Sequence, residues 1–579
     1  MVDRCAAPSV MIPAMQKVFS AAAMREIDRL TTERYKVPSL LLMEAAANNS
    51  LKAIAAHFSH NLAGISALIL CGPGNNGGDG AALARLLMMS EAHAEVVLFG
   101  RVEATKGDAR INFEIVRRLA DEVEKSSVSI GDSGVTTPAS SFYECETNEV
   151  WEKIADRAGN YDLIVDALFG TGLTRPLTGV FGQAVDRLVL LRGARDRMQQ
   201  KRPLFVSLDV PSGLNADLAE PIGPAVRSDL TITFTGPKLA NVLPPAAHFS
   251  GRLVIAGVGS PQTLLDADSS SQLFVTEDSD ARTWLEQTRY TPDSYKNTHG
   301  HALVIAGSRR MTGAAVLSAE AAMRAGAGLV TIATPLSALS SVAARVMPEV
   351  MTVELPETTG GAASMAAIER ALKLFERTTV VAVGPGLSAD EEETRRFVRA
   401  VVEQRTTPVV IDADGLNALA PWPDDLSGSV AAPLILTPHE GEMRRLIGSP
   451  DRAALGNRVD AVREFAVKHS VILVLKGTRT LIAAPDGRVI VNPTGNAGLG
   501  TAGAGDTLTG IITGFLAQAY GTLKERSDAL TATVAAVYVG GLAGDLAVRE
   551  HGMRALVASD VRGFLSAAFR QLDPAGEHP

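Results

Sequence analysis

Short runs of almost uninterrupted Val, Ile, Leu and Ala, each followed by a helical stretch, dominate this sequence and restrict what it can fold into. From Ile65 the runs read ISALILCG, AEVVLFG, YDLIVDALFG, LFVSLDV and LTITFTG; a second series reads HALVIAG, AGLVTIATP, TTVVAVGPG, TPVVIDADG, APLILTPHEG and SVILVLKGT. Strands apolar on both faces belong in parallel sheets covered by helices on each side. The expected fold class is therefore α/β, with two doubly wound domains. A chain of 579 residues also exceeds what one core supports. After GRLVIAGVG (251–259) apolar periodicity lapses in DADSSSQ (266–272), which sets the expected domains at residues 1–265 and 266–579. No fixed-period repeat relates the halves. Ser20, ahead of Met24, Ile27 and Leu30 at helical spacing, reads as the N-cap of an opening helix after a frayed leader.

A net charge of −9 gives no electrostatic reason for nucleic acid or an anionic membrane as a partner, yet allows a small anionic ligand in a local basic pocket. Cys5, Cys71 and Cys145 form neither a zinc pattern nor a disulfide framework and read as free thiols in a reducing compartment. The leader is interrupted by Pro13, and no later run approaches the roughly 18 uncharged apolar residues of a membrane span. A cytoplasmic protein is expected.

Three glycine-containing turns converge on the edge of the first sheet. GPGNNGGDG (72–80) sits between a strand and the helix GAALARLLMM and satisfies G-x-G-x-x-G, whose glycines let a pyrophosphate approach a helix N-terminus. The next strand ends in Gly100 and Arg101, without the carboxylate that grips a ribose diol in a redox NAD site. VDALFGTGLTRPLTG (165–179) and VSLDVPSGLNAD (206–217) each carry an acid before a turn. Asp166 and Asp209 would be plain loop caps if taken singly. Taken together, Asn76, Asp166 and Ser212 are hard oxygen donors for a cation, with Asp209 free for proton transfer.

LMEAAANN, GPGNNGGDG, VDALFGTGLTRP and LDVPSG together resemble the YjeF N-terminal family, the epimerases of hydrated NAD(P)H, over roughly residues 18–260. The resemblance implies a Rossmann-like domain with K+ held by Asn76, Asp166 and Ser212. It implies substrate bound by Asn75, Asn76, Gly77, Gly78, Asp79, Gly170, Thr171, Gly172, Leu173, Thr174, Arg175, Pro176 and Asp209. The implied reaction interconverts the R and S hydrates at C6 of the ring, with Asp209 as catalyst. The alternative is a noncatalytic Rossmann-like binding module.

In the second half, TGNAGLGTAGAGDTLTGIITG (494–514) places a glycine-rich loop before Asp506 at the start of an apolar helix. Gly503 and Gly505 permit close backbone approach, the helix N-terminus supplies positive partial charge to a transferring phosphoryl group, and Asp506 is poised to take a hydroxyl proton. VVAVGPGLS (380–388), VVIDADGLNAL (409–419), ILTPHEGEM (435–443) and LVLKGTRTLIA (473–483) bring further polar groups to strand ends. These segments resemble the ribokinase-like superfamily. Joined with GSRRMTGAAVLSAEAAMRAGAGLVT, they are similar to the NAD(P)H-hydrate dehydratase family over about residues 275–575. That resemblance implies substrate contacts at Ala314, Gly386, His439 and Asp506, and nucleotide contacts at Lys476, Gly477, Thr478, Arg479, Thr480 and Gly505. Where many members have GGSGD, this chain has AGAGD, which keeps the small-residue turn but removes one hydroxyl hydrogen bond, worth about 1 kcal/mol. The implied reaction consumes ADP as co-substrate, giving AMP, with Mg2+ screening the phosphates and Glu440 or Glu442 as helpers. The alternative is a small-molecule kinase acting on a vitamin precursor alcohol. The expected ligands are NAD(P)H hydrates and ADP, and the expected assembly is a homo-oligomer.

Overall fold

A computed structural model of the chain describes residues 15–128 and 140–573. Cys5 and the leader with Pro13 lie outside these residues, while Cys71 and Cys145 are buried free thiols. The structure divides into two compact units, one of residues 17–271 and one of residues 272–573 together with Met15 and Gln16. Ser20 caps the helix Ala21–Glu33, its hydroxyl accepting the Ala23 N–H at 3.1 Å.

The unit spanning residues 17–271 is built on a seven-stranded parallel sheet. Its strands are β1 (Ser66–Cys71), β2 (His93–Leu98), β3 (Ser141–Glu144), β4 (Leu163–Ala167), β5 (Leu204–Leu208), β6 (Leu230–Phe234) and β7 (Arg252–Ala256). The spatial order is β3-β2-β1-β4-β5-β6-β7. The short edge strand β3 has no counterpart among the apolar runs: Ser141–Glu144 is four residues long, only Phe142 and Tyr143 are aromatic, and two of the four are exposed. β1, β4 and β5 are buried on both faces, and helix-borne residues such as Phe113 and Ala82 cover one side while Trp151 and Leu188 cover the other.

The second unit carries β8 (Leu273–Val275), β9 (His301–Ile305), β10 (Leu329–Pro335), β11 (Met351–Leu355), β12 (Val380–Val383), β13 (Val409–Ile411), β14 (Leu434–Leu436), β15 (Ile472–Leu475), β16 (Leu481–Ala483) and β17 (Val489–Val491). With Gln16–Lys17 at the edge beyond β8, the order runs β8-β17-β16-β15-β14-β13-β12-β9-β10-β11. β16 is antiparallel to both its neighbours; the strands from β15 to β11 are parallel. Trp284 stacks on Phe515 at 4.2 Å between centroids inside the helical layer.

The helix Ala529–His551 corrects the expectation that no segment reaches membrane-spanning length and apolarity, because by length and composition it does. Its window is 72% buried within the unit, where it joins the main apolar core. Gly541 and Gly544 let it close on Thr494 and Leu499. Its apolarity belongs to a core helix.

Candidate active sites

In the first unit the strand order reverses at β1, between β2 and β4, and a doubly wound sheet binds ligands at the carboxyl ends flanking such a point. The GPGNNGGDG segment does not remain a loop. Its helix begins at Asn75, so Asn75 through Asp79 form the first helical turn rather than a turn ahead of it. Packing requires the glycines. A Cβ on Gly77 would stand 1.8 Å from the Gly72 carbonyl oxygen, and one on Gly78 2.7 Å from Ala109 Cα.

Asp166, at the end of β4, is fully buried and accepts from Ser207 Oγ (2.8 Å), Ser212 N–H (2.8 Å), Ser212 Oγ (2.6 Å) and Leu168 N–H (3.3 Å). Burial pushes its carboxyl above the usual range while these donors oppose the shift. Ser212 Oγ also accepts the Phe169 N–H at 2.9 Å. Both amide atoms of Asn76 are buried with no hydrogen-bond partner among the described residues. Gly170 allows Asn76 and Asp209 to converge: a Cβ there would lie 3.3 Å from Asn76 Oδ1 and 2.8 Å from Asp209 Oδ2. The Thr171 N–H reaches Asp209 Oδ2 at 3.3 Å. Beyond it Leu173 is buried, whereas Gly172, Thr174, Arg175 and Pro176 are exposed.

Asp209 adopts a left-handed backbone, φ 65°, at the end of β5. Its Oδ1 accepts Lys238 Nζ at 2.5 Å, and that lysine is 1% exposed. Sequence reasoning gave Lys238 no role. Its signal was a lone charge in the apolar stretch TITFTGPKLANVL.

In the second unit the order reverses at β9, between β10 and β12. Ala314, in the first turn of the helix Thr312–Arg324, and Gly386, after β12, meet there; a Cβ on Gly386, whose φ is 65°, would stand 3.0 Å from Ala314 Cβ. Beside them Asp412, at the end of β13, is buried and accepts Lys476 Nζ at 2.7 Å and Thr509 Oγ1 at 2.8 Å. Despite burial, Lys476 and the Thr509 hydroxyl hold Asp412 below the usual carboxylate range. Burial alone would lower the Lys476 ammonium, but Asp412 and Glu442 outweigh it and raise it. A Cβ on Gly505 would lie 3.3 Å from Lys476 Nζ. The lysine therefore stands under the turn that leads to Asp506.

Asp506 is the third residue of the helix Ala504–Gln518, preceded by Gly503 at φ 83°. Burial pushes its carboxyl up to about 6; the Asp412 charge adds to the shift and Lys476 opposes it. A carboxyl poised there suits general base work near neutral pH.

His439 caps the helix Glu440–Ile447. Its Nδ1 accepts the N–H groups of Gly441 (2.9 Å) and Glu442 (3.3 Å), so the ring proton sits on Nε2. The His439 N–H donates in turn to Glu442 Oε2 at 2.8 Å. Glu442 is thus engaged by the cap and lies 3.8 Å from Lys476, while Glu440 faces Arg458 at 3.6 Å. Among the described residues no three His, Cys, Asp or Glu side chains gather as a metal cluster.

The KGTRT segment does not present all its side chains alike. The Arg479 guanidinium donates to the Pro493 carbonyl and faces Asp545, and burial lowers its basicity. Its side chain braces the glycine-rich loop. Arg458 Nη1 donates to Thr478 O at 3.4 Å, and Thr480 Oγ1 to Gly477 O at 3.4 Å. Asp545 accepts Gly495 N–H (2.9 Å) and Asn496 Nδ2 (2.8 Å). The sequence assigned nothing to Asp412, Thr509, Arg458 or Asp545, although Asp412 and Thr509 lie inside quoted motifs.

Two α/β units, each with its own crevice at a strand-order reversal, one of them joining a poised carboxyl, a half-buried lysine and a glycine-turned helix N-terminus, define a two-site enzyme. Residues 39–240 match the family model described as YjeF-related protein N-terminus, and residues 302–564 the one described as NAD(P)H-hydrate dehydratase. The chain is 38% identical to the bifunctional NAD(P)H-hydrate repair enzyme of Moorella thermoacetica, over 96% of this chain and 97% of that protein. It is 36% identical to that of Thermofilum pendens over the same shares. Among solved structures, the ADP/ATP-dependent NAD(P)H-hydrate dehydratase from Bacillus subtilis co-crystallized with ATP/Mg2+ is 32% identical, with a TM-score of 0.44, covering 51% of this chain and 97% of that one. The chain belongs to the family of bifunctional NAD(P)H-hydrate repair enzymes.

Proposed function

We propose that this chain repairs hydrated NADH and NADPH: the first unit interconverts the R and S hydrates at C6, and the second dehydrates the S hydrate at the expense of ADP. The observation that carries the reading is the cluster of Asp506, Lys476 and Asp412 at the strand edge where Ala314 and Gly386 meet. A substrate hydroxyl beside Asp506 gives up its proton to that carboxylate as its oxygen attacks the β-phosphorus of ADP and AMP departs. Lys476 and the leading N–H groups of the Ala504–Gln518 helix face the developing phosphate charge. The nitrogen lone pair of the ring then expels the C6 phosphate, and loss of a C5 proton restores the dihydropyridine. His439 offers Nε2–H to the substrate.

With no cluster of His, Cys, Asp or Glu for it among the described residues, Mg2+ would be held chiefly by the nucleotide phosphates, whose charge it would screen. In the first unit the unpartnered buried amide of Asn76, with Asp166 and Ser212, fits a K+ ion, which would supply positive charge beside an anionic substrate. Incubation of mixed hydrates with ADP and Mg2+ should return all of the reduced nicotinamide. Accumulation of a stable phosphoalcohol would instead mark the second unit as a kinase.

A further inference from the structure

Two guanidinium groups flank the turn of residues 476–480 that leaves β15, and they are not equally engaged. That of Arg479 donates to the Pro493 carbonyl and faces Asp545. Arg458 opens the helix Arg458–His469, and its side chain runs back to the turn, where Nη1 donates to the Thr478 carbonyl at 3.4 Å. Gly477 admits it, since a Cβ there would stand 3.0 Å from Nη2. Nε and Nη2 are buried and have no hydrogen-bond partner among the described residues. Glu440 Oε1 lies 3.6 Å from Nε, too far for a hydrogen bond, and the Glu440 side chain is exposed. Nε and Nη2 form one edge of the planar group, and such an edge matches two oxygens of one phosphate. Leaving these buried N–H groups idle is costly, and an anion accepting from both would remove that cost.

The layout of the second unit says which anion. Ala314 and Gly386 mark the substrate side, at β9 and β12, while Asp506 and Lys476 mark the point of phosphoryl transfer. In-line displacement puts the leaving group opposite the attacking oxygen. Along the sheet that direction runs from β12 past β13 and β14 to β15. The Lys476 N–H donates to the Pro438 carbonyl at 2.8 Å, so the exits of β14 and β15 lie side by side, and Arg458 reaches both through Glu440 and Thr478. Gly477 and Thr478 are exposed, which leaves the turn open to a ligand.

We propose that Arg458 is a nucleotide-binding residue of the dehydratase, its Nε and Nη2 taking the α-phosphate of ADP, and this rests on reading the second unit as ADP-dependent. As the substrate oxygen bonds to the β-phosphorus, its proton goes to Asp506 and the bond from that phosphorus to the bridging oxygen breaks. The electron pair stays on the bridging oxygen, now part of AMP, and Arg458 meets the charge that develops there. Lys476 serves the phosphoryl group in transfer; Arg458 serves the group that departs.

The test measures, on the full chain, the affinities of AMP and adenosine by displacement of labelled ADP at equilibrium, with KM for ADP and for the S hydrate alongside. R458M should weaken AMP about 10-fold or more and leave adenosine within about twofold, because only AMP carries the phosphate. KM should rise for ADP and not for the hydrate. If R458M does not fold, the same comparison is made with R458K, which keeps the charge but loses the two-donor edge and should also lose AMP affinity while retaining that for adenosine. Equal weakening of AMP and adenosine would make Arg458 a brace of the turn and overturn the proposal, as would unchanged AMP affinity. A wild type that binds neither ADP nor AMP overturns the nucleotide reading of the unit itself.

Discussion

Asp506 shows how one residue's surroundings set both chemistry and stability. Its carboxyl stands near 6 because burial and the neighbouring Asp412 resist its ionisation. A general base works only when ionised, so dehydration should rise with pH through about 6 and level off above it, which a pH series of kcat/KM would show. The linkage to stability has the opposite sign. A carboxyl whose folded pKa exceeds its unfolded value of 3.8 binds its proton more tightly in the folded state, so stability falls as pH rises from about 4 to 6 and stays lower above. At pH 7.5 the D506N variant should therefore be inactive yet more stable than the wild type by about 1 to 3 kcal/mol, read by chemical denaturation. Asp506 itself was legible in the sequence because a glycine loop ahead of an acid and an apolar helix is a local pattern. Lys238 was not, because its partner Asp209 lies 29 positions away and only the closing of β5 on β6 joins them.

At the scale of the element, both sites depend on how a glycine-rich stretch meets a helix. Gly503 has φ 83°, and a Cβ there would fall 2.5 Å from Leu317 Cδ1. G503A should cost about 1 to 3 kcal/mol in strain and cut the dehydratase rate, seen as a lower midpoint of thermal unfolding together with lower kcat. Asp545 tethers the loop from the Ala529–His551 helix through Gly495 and Asn496. D545A should loosen that loop and raise the KM for ADP several-fold in steady-state kinetics. The strands of apolar runs were readable from sequence, whereas the start of the Asn75–Met89 helix was not. Gly77 and Gly78 disfavour a helix locally by about 1 kcal/mol each, and it is the contact with Gly72 and Ala109 that brings the helix down over them.

For the whole molecule, the two activities act in series on one substrate. D209A should leave the S hydrate repairable while the R hydrate accumulates, so mixed hydrates with ADP and Mg2+ return only the S share of reduced nicotinamide; full recovery by D209A would remove the first unit from the reaction. Sequence by itself determined the α/β class, the two sheets and the strand-end motifs, because those follow from apolar periodicity and from glycine beside acid in short segments. Tertiary structure alone decided which charges meet: Lys238 with Asp209, Lys476 with Asp412 beneath Asp506, and Asp545 with the loop at Gly495. Each pair joins ends of elements far apart in the chain. The energy of such a pair depends on burial and on distances of a few ångströms, and neither exists until the sheets have closed.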